Sequence, residues 1–130
     1  MDNISELDIY SECIRNLKPN SHFGLSIDGD NEKTITWVDN EQTEPTTEEI
    51  SSIRDTVISE LLYKLLRKQR NEKMLKTDFY FANDFPHKTD EKRQEWLAYR
   101  QALRDLPNNQ TPQLDSYGML TNITWPTKPS

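Results

Sequence analysis

Two histidines, one cysteine and a short run of carboxylates are the side chains here whose types most often carry chemistry. His22 and His87 lie 65 positions apart, and the cysteine, Cys13, is single. A zinc site needs paired Cys or His ligands at short, fixed spacings, so both histidines are expected on the surface or in turns. One cysteine permits no internal disulfide, and Cys13 sits among apolar residues, where a thiol packs as core. Asp28, Asp30 and Glu32 resemble the start of a calcium loop. Such a loop needs Gly at its sixth position and Glu at its twelfth, whereas Gly29 falls in the second slot, so a hairpin turn is the better reading. The three glycines Gly24, Gly29 and Gly118 are too scattered to cradle a phosphate. No serine lies in a nucleophile elbow. No catalytic, cofactor or metal site is expected, and the sequence reads as a non-enzymatic protein–protein interaction module.

The elements that would position an interaction surface are legible from spacing. Residues 4–17 carry Ile4, Leu7, Ile9, Tyr10, Cys13, Ile14 and Leu17, and the subset 7, 10, 14 and 17 predicts a short amphipathic helix ending before Pro19. Residues 22–27 and 33–38 alternate with period two, placing Phe23, Leu25 and Ile27 on one face and Ile35 and Trp37 on another. The turn residues 28–32 join them as a β-hairpin. After a polar linker, Thr46 and Glu49 form a capping box, with Glu48 and Glu49 at the positive end of the helix dipole. No Gly or Pro follows until Pro86, which predicts one long helix over about 47–76. Ile50, Ile53, Val57 and Leu61 fall within about 80° on its wheel. Ile58, Leu62, Leu65 and Leu66 widen that stripe, enough to cover two neighbours, one of which can be a second copy of the chain. An irregular aromatic stretch with Phe79, Tyr80, Phe81 and Phe85 precedes a shorter helix over about 90–106. That helix is stopped by Pro107, with Trp96, Tyr99, Leu103 and Leu106 in one seam. In the Pro- and Asn-rich tail, residues 122–125 are expected to add a strand to the hairpin. The fold class is α+β: a small hairpin-based sheet, one long helix and a shorter C-terminal helix. Residues 1–45 form an acidic helix-plus-hairpin region and 46–130 a helical region, either separate or as one continuous domain.

Composition excludes several classes. The hydrophobic share is 33%, below the roughly 45–50% of globular chains, and mean hydropathy is −0.92. An elongated shape, a partner that completes the core, or disordered ends are therefore expected. Net charge is −6, unevenly spread: −9 over residues 1–49, +4 over 50–76 and −1 over 77–130. Nucleic-acid binding asks for a net basic surface. The basic run Lys64, Arg67, Lys68, Arg70, Lys73 and Lys76 spreads around the whole helical wheel, so a solvated helix end explains it better. No stretch approaches ~18 apolar residues, and no membrane span is expected. The first residues lack the features of a signal peptide, so cytoplasmic residence is expected and the sequons at Asn3, Asn109 and Asn122 idle.

The run Trp96-Leu97-Ala98-Tyr99-Arg100-Gln101-Ala102-Leu103-Arg104-Asp105-Leu106-Pro107 resembles the signature segment of the phage tail assembly chaperone family. Upstream, Arg70-Asn71, Leu75 and Thr77-Asp78-Phe79 are similar to that family's Arg, leucines and Thr/Ser-Asp-Trp segment, with Phe79 where Trp is usual and Lys73 among the leucines. Downstream, Trp125-Pro126 and Lys128-Pro129 resemble its ending. The resemblance covers residues 70–129. It implies a part in building a phage tail, tail fibre or baseplate, with phage tail, fibre or baseplate proteins as partners and the host cytoplasm as the place of action. Arg70, Asp78, Trp96, Tyr99, Arg100, Leu103, Arg104, Asp105 and Trp125 are the interaction residues it points to. A permanent virion component is the alternative, and a regulator of a host protein or nucleic acid is a second.

Overall fold

The first helix, α1 (Glu6–Leu17), starts at a reciprocal cap. The Ser5 amide donates to Asp8 Oδ2 at 2.9 Å, and Ser5 Oγ accepts from the Asp8 amide at 3.1 Å. The computed structural model describes residues 3–30 and 32–130. α1 buries Ile9, Cys13 and Ile14 rather than the expected 7-10-14-17 stripe, and Leu7 is 41% exposed. At 100° per residue the arc from Ile9 to Ile14 spans about 140°, and Leu7 falls at about 160°, past its edge. Burial pushes the Cys13 thiol up from its ordinary value.

Strands β1 (Phe23–Ile27) and β2 (Lys33–Trp37) pair antiparallel, Phe23 opposite Trp37 and Leu25 opposite Ile35. The two apolar sets read from the sequence therefore share one side of the hairpin, with Gly24, Ser26, Thr34 and Thr36 exposed on the other. The Phe23 and Trp37 rings stack at 6.3 Å. In the turn, Asp28 Oδ1 accepts from the amides of Asp30 and Glu32 at 2.8 and 2.9 Å, which is how an aspartate builds a turn. Asp39 closes the base of the hairpin, accepting from the amides of Glu41, Gln42 and His22. Those bonds, Glu41's first, hold its carboxyl below the usual range.

The long helix α2 (Thr47–Thr77) has 31 residues, about 46 Å at 1.5 Å per residue. Its capping box is as read: Thr46 N donates to Glu49 Oε1 at 3.0 Å, and Thr46 Oγ1 accepts from Glu49 N at 3.1 Å. A 3₁₀ turn, Asp78–Phe81, leads to α3 (Asp90–Asn109), capped by Thr89, whose hydroxyl accepts from the Lys92 amide at 3.1 Å. α3 does not stop at Leu106, because Pro107 lies inside it. The proline forfeits the bond its own amide would make to Leu103. Two residues from the helix end, that loss is confined to the last turn.

The tail holds a second small sheet, β3 (Gln113–Leu114) with β4 (Leu120–Thr121). Asp115 Oδ1 accepts from the amides of Tyr117 and Met119 at 2.8 and 2.9 Å, and Gly118 takes φ 77°. The strand expected over 122–125 is absent: β4 ends before Asn122, whose φ of 65° is left-handed, and β4 pairs with β3, not with the first hairpin. The fold is thus α+β and helix-dominated. The chain divides into two compact units, Asn3–Leu61 and Leu62–Ser130, to which α2 contributes residues 47–61 and 62–77.

Candidate partner-binding site

In the second unit the aromatic stretch and the α3 seam build one core. Trp96, Tyr99 and Leu103 are its buried centre, with Met74, Tyr80, Phe81 and Trp125 packed around them. Trp96 is 4% exposed. It stacks on Tyr80 at 3.8 Å with an 11° interplanar angle, and meets Phe81 and Tyr99 edge to face. Each such ring pair is worth about 0.5–1.5 kcal/mol beyond its buried area. Spacings of three and four along α3 put Trp96, Tyr99, Leu103 and Leu106 on one stripe, and all four are buried. Burial also raises the Tyr99 phenol above its ordinary pKa.

The polar residues of the signature frame this core. Thr77 is buried, and its hydroxyl donates back to the carbonyls of Lys73 and Met74 at 3.0 and 3.3 Å, satisfying the end of α2. Asp78 then accepts from Arg100 Nη1 at 3.3 Å, while the Arg100 guanidinium lies 4.7 Å from the Phe81 ring centre. This pins the 3₁₀ turn to α3. Arg70 donates to Asn71 Oδ1 at 3.0 and 3.2 Å and to the Arg104 carbonyl at 3.4 Å. Asp105 accepts from Gln101 at 3.1 Å, and Lys73 sits 4.8 Å over the Trp125 ring. Asp78, Trp96, Tyr99, Arg100, Leu103 and Trp125 are thus brought together. Arg70 reaches Arg104 through the Arg104 carbonyl alone, and the Arg104 and Asp105 residues are exposed.

Around this scaffold large apolar side chains stand exposed. Leu75 is 74% and Phe79 55% exposed, one helical turn apart, and Leu97 is exposed on α3. Phe79 occupies the position where the family resemblance has Trp, and its ring lies 4.0 Å from Tyr80 and 5.8 Å from Phe85. His87 joins the same cluster, its Nε2 2.8 Å from the Tyr80 carbonyl and its ring 4.6 Å from Phe85. Sequence spacing missed this, because residues 77–88 have no period to read. Among the described residues, no cluster of three or more His, Cys, Asp or Glu side chains is placed to hold a metal ion. Nor is any helix long and apolar enough to cross a membrane.

The first unit adds a charged cluster to its apolar core. Arg54 forks onto Glu6, with Nη1 to Oε2 at 3.0 Å and Nη2 on Oε1, and Lys33 Nζ reaches Glu6 Oε2 at 3.7 Å. The Arg54 hydrogen bond holds the Glu6 carboxyl below its ordinary value. Lys33 also lies 5.2 Å over the Tyr10 ring.

Fold and framing together define a small helical-and-hairpin protein whose signature residues lock one aromatic core and leave an apolar surface outside it. The model of the family described as phage tail assembly chaperone protein matches residues 63–130, just over half of the 130-residue chain and slightly more than the segment 70–129 that carries the resemblance. The chain belongs to the phage tail assembly chaperone family, which gives it a role in phage tail assembly. Comparison with curated proteins and with solved structures gives no match.

Proposed function

We propose that the chain acts without catalysis, by binding a tail protein in the host cytoplasm while the tail, tail fibre or baseplate is built, and that its second unit carries the binding surface. The observation behind this reading is the division of labour among the signature residues. Trp96, Tyr99 and Leu103 are spent on the unit's own core. Asp78 and Arg100 pin its 3₁₀ turn to α3, Arg70 reaches the Arg104 carbonyl, and Trp125 lies under Lys73. Leu75, Phe79 and Leu97 remain outside at a cost in solvent-exposed apolar area. Large apolar side chains left exposed together mark a surface that a partner covers.

As an assembly factor, the protein leaves the finished particle. Quantitative mass spectrometry of purified virions should find it far below one copy per tail. A stoichiometric, wash-resistant amount would make it a structural component instead.

A further inference from the structure

Beside the aromatic core, α3 carries a groove that its sequence neighbours do not disclose. One part, a cleft of about 750 Å³, is walled by Tyr80, Phe85 and Trp96 and rimmed by Lys88, Lys92 and Lys128. A second cleft of about 530 Å³ shares Lys92 and Lys128 and runs on past Tyr99 to Ala102. From Lys92 to Ala102 is ten residues of helix, about 15 Å. That length matches four or five residues of an extended chain at about 3.3 Å each.

Charge decides what fits. Lys88 and Lys128 line the first cleft beside Lys92, whose ammonium is shared with Glu95 at 2.8 Å, and among the described residues no Asp or Glu side chain lines the cleft. The one acidic side chain in the second cleft, Glu95, is paired with Lys92 at 2.8 Å. The unit as a whole is basic: residues 62–130 carry twelve basic and eight acidic side chains, a net of +4. We propose that this groove binds an extended acidic segment of the tail protein, with carboxylates on the lysine rim and an apolar side chain against Tyr80, Phe85 and Trp96. The inference rests on the protein-binding reading above and names the chemistry of its partner.

The acidic first unit of another copy is the obvious rival, since residues 1–61 carry fourteen acidic and four basic side chains. Several of those carboxylates are engaged. Asp8 and Glu49 cap helices, Asp28 and Asp39 close turns, and Glu6 is held by Arg54 and Lys33. The other acidic side chains of that unit make a second copy an outcome that the test must separate.

The test is fluorescence anisotropy of the full chain with a fluorescein-labelled decapeptide of glutamates around one central phenylalanine. The same peptide with lysines in place of glutamates is the control. The acidic peptide should bind, the basic one should not, and raising salt should weaken binding. The double variant Lys88→Glu with Lys128→Glu, both on exposed positions, should weaken it about tenfold or more, with the circular dichroism spectrum unchanged. Equal binding of both peptides, or undiminished binding by the variant, overturns the groove. If a purified tail protein binds wild type and variant equally while the acidic peptide binds neither, the groove inference fails and the assembly-factor reading stands. Light scattering that shows a dimer which the double variant returns to monomer would assign the groove to a second copy and overturn the partner-segment proposal.

Discussion

The two units solve the problem of a small core in different ways. Residues 3–61 hold a helix, a two-stranded hairpin and the start of α2 with an apolar core of Ile4, Ile9, Cys13, Ile14, Ile50 and Val57. They supplement it with polar links: Glu6 between Arg54 and Lys33, the Asp39 turn, and Trp37 Nε1 donating to the Gln42 carbonyl at 2.9 Å. Residues 62–130 add packed aromatic rings to the buried Leu62, Leu65, Leu66, Leu103 and Leu106. Exposed ion pairs are worth about 0–1 kcal/mol each, whereas a buried tryptophan is worth several. Leu7 and Val38 stand exposed in the first unit, and Leu75 and Phe79 in the second, which its rings hold. The family match falls on this second unit.

The comparison is broken most severely by Trp96→Ala. Removing this side chain should cost about 3–5 kcal/mol, read by chemical denaturation. Hydrogen–deuterium exchange should show protection lost across residues 90–109. Unchanged exchange there would mean the rings do not hold the unit. Arg100→Ala comes next. It removes the pair to Asp78 and the contact with Phe81, and should cost about 1–2 kcal/mol, with faster exchange in residues 78–81. An effect confined to salt-sensitive binding, with no change in exchange, would make Arg100 a surface charge rather than a brace.

Helix caps set the two units against each other on equal terms. Ser5→Ala and Thr89→Ala each remove a hydroxyl that accepts a backbone amide, and each should cost about 1 kcal/mol. Exchange should quicken at α1 in the first and at α3 in the second. The smallest effect is electrostatic and belongs to the first unit alone. Arg54 depresses the Glu6 carboxyl below its ordinary 4.5. The stability this contributes is therefore present above about pH 4.5 and lost as pH falls through the lower folded value. With Glu6 partly exposed, the loss should be under about 1 kcal/mol. Glu6→Gln should flatten the acid side of the stability curve, and an unchanged curve would remove Glu6 from the account.

Much of this was legible because it is local. The β1 and β2 strands follow from period two, and the Thr46–Glu49 box from a four-residue pattern. The α3 seam follows from spacings of three and four at Trp96, Tyr99, Leu103 and Leu106. What escaped depends on context. Pro107 continues α3 because so little helix follows it. Asn122 ends β4 by a left-handed turn that asparagine tolerates. The β3–β4 hairpin was hidden by short strands, although Asp115 and Gly118 three residues apart are its turn signal. The groove was invisible because Lys128, 36 residues after Lys92, is brought beside Lys88 and Lys92 only by the fold.

The central claim, that the family-matching unit is the one that binds, is tested most directly by calorimetric titration of the full chain with each purified tail protein of the same phage. The two double variants to compare are Phe79→Ser with Leu97→Ser in the second unit, and Leu7→Ser with Val38→Ser in the first, all four side chains being exposed. One tail protein should bind the wild type, bind the first-unit variant equally, and bind the second-unit variant at least about tenfold more weakly. Loss of binding in the first-unit variant, with the second-unit variant unaffected, would contradict the account.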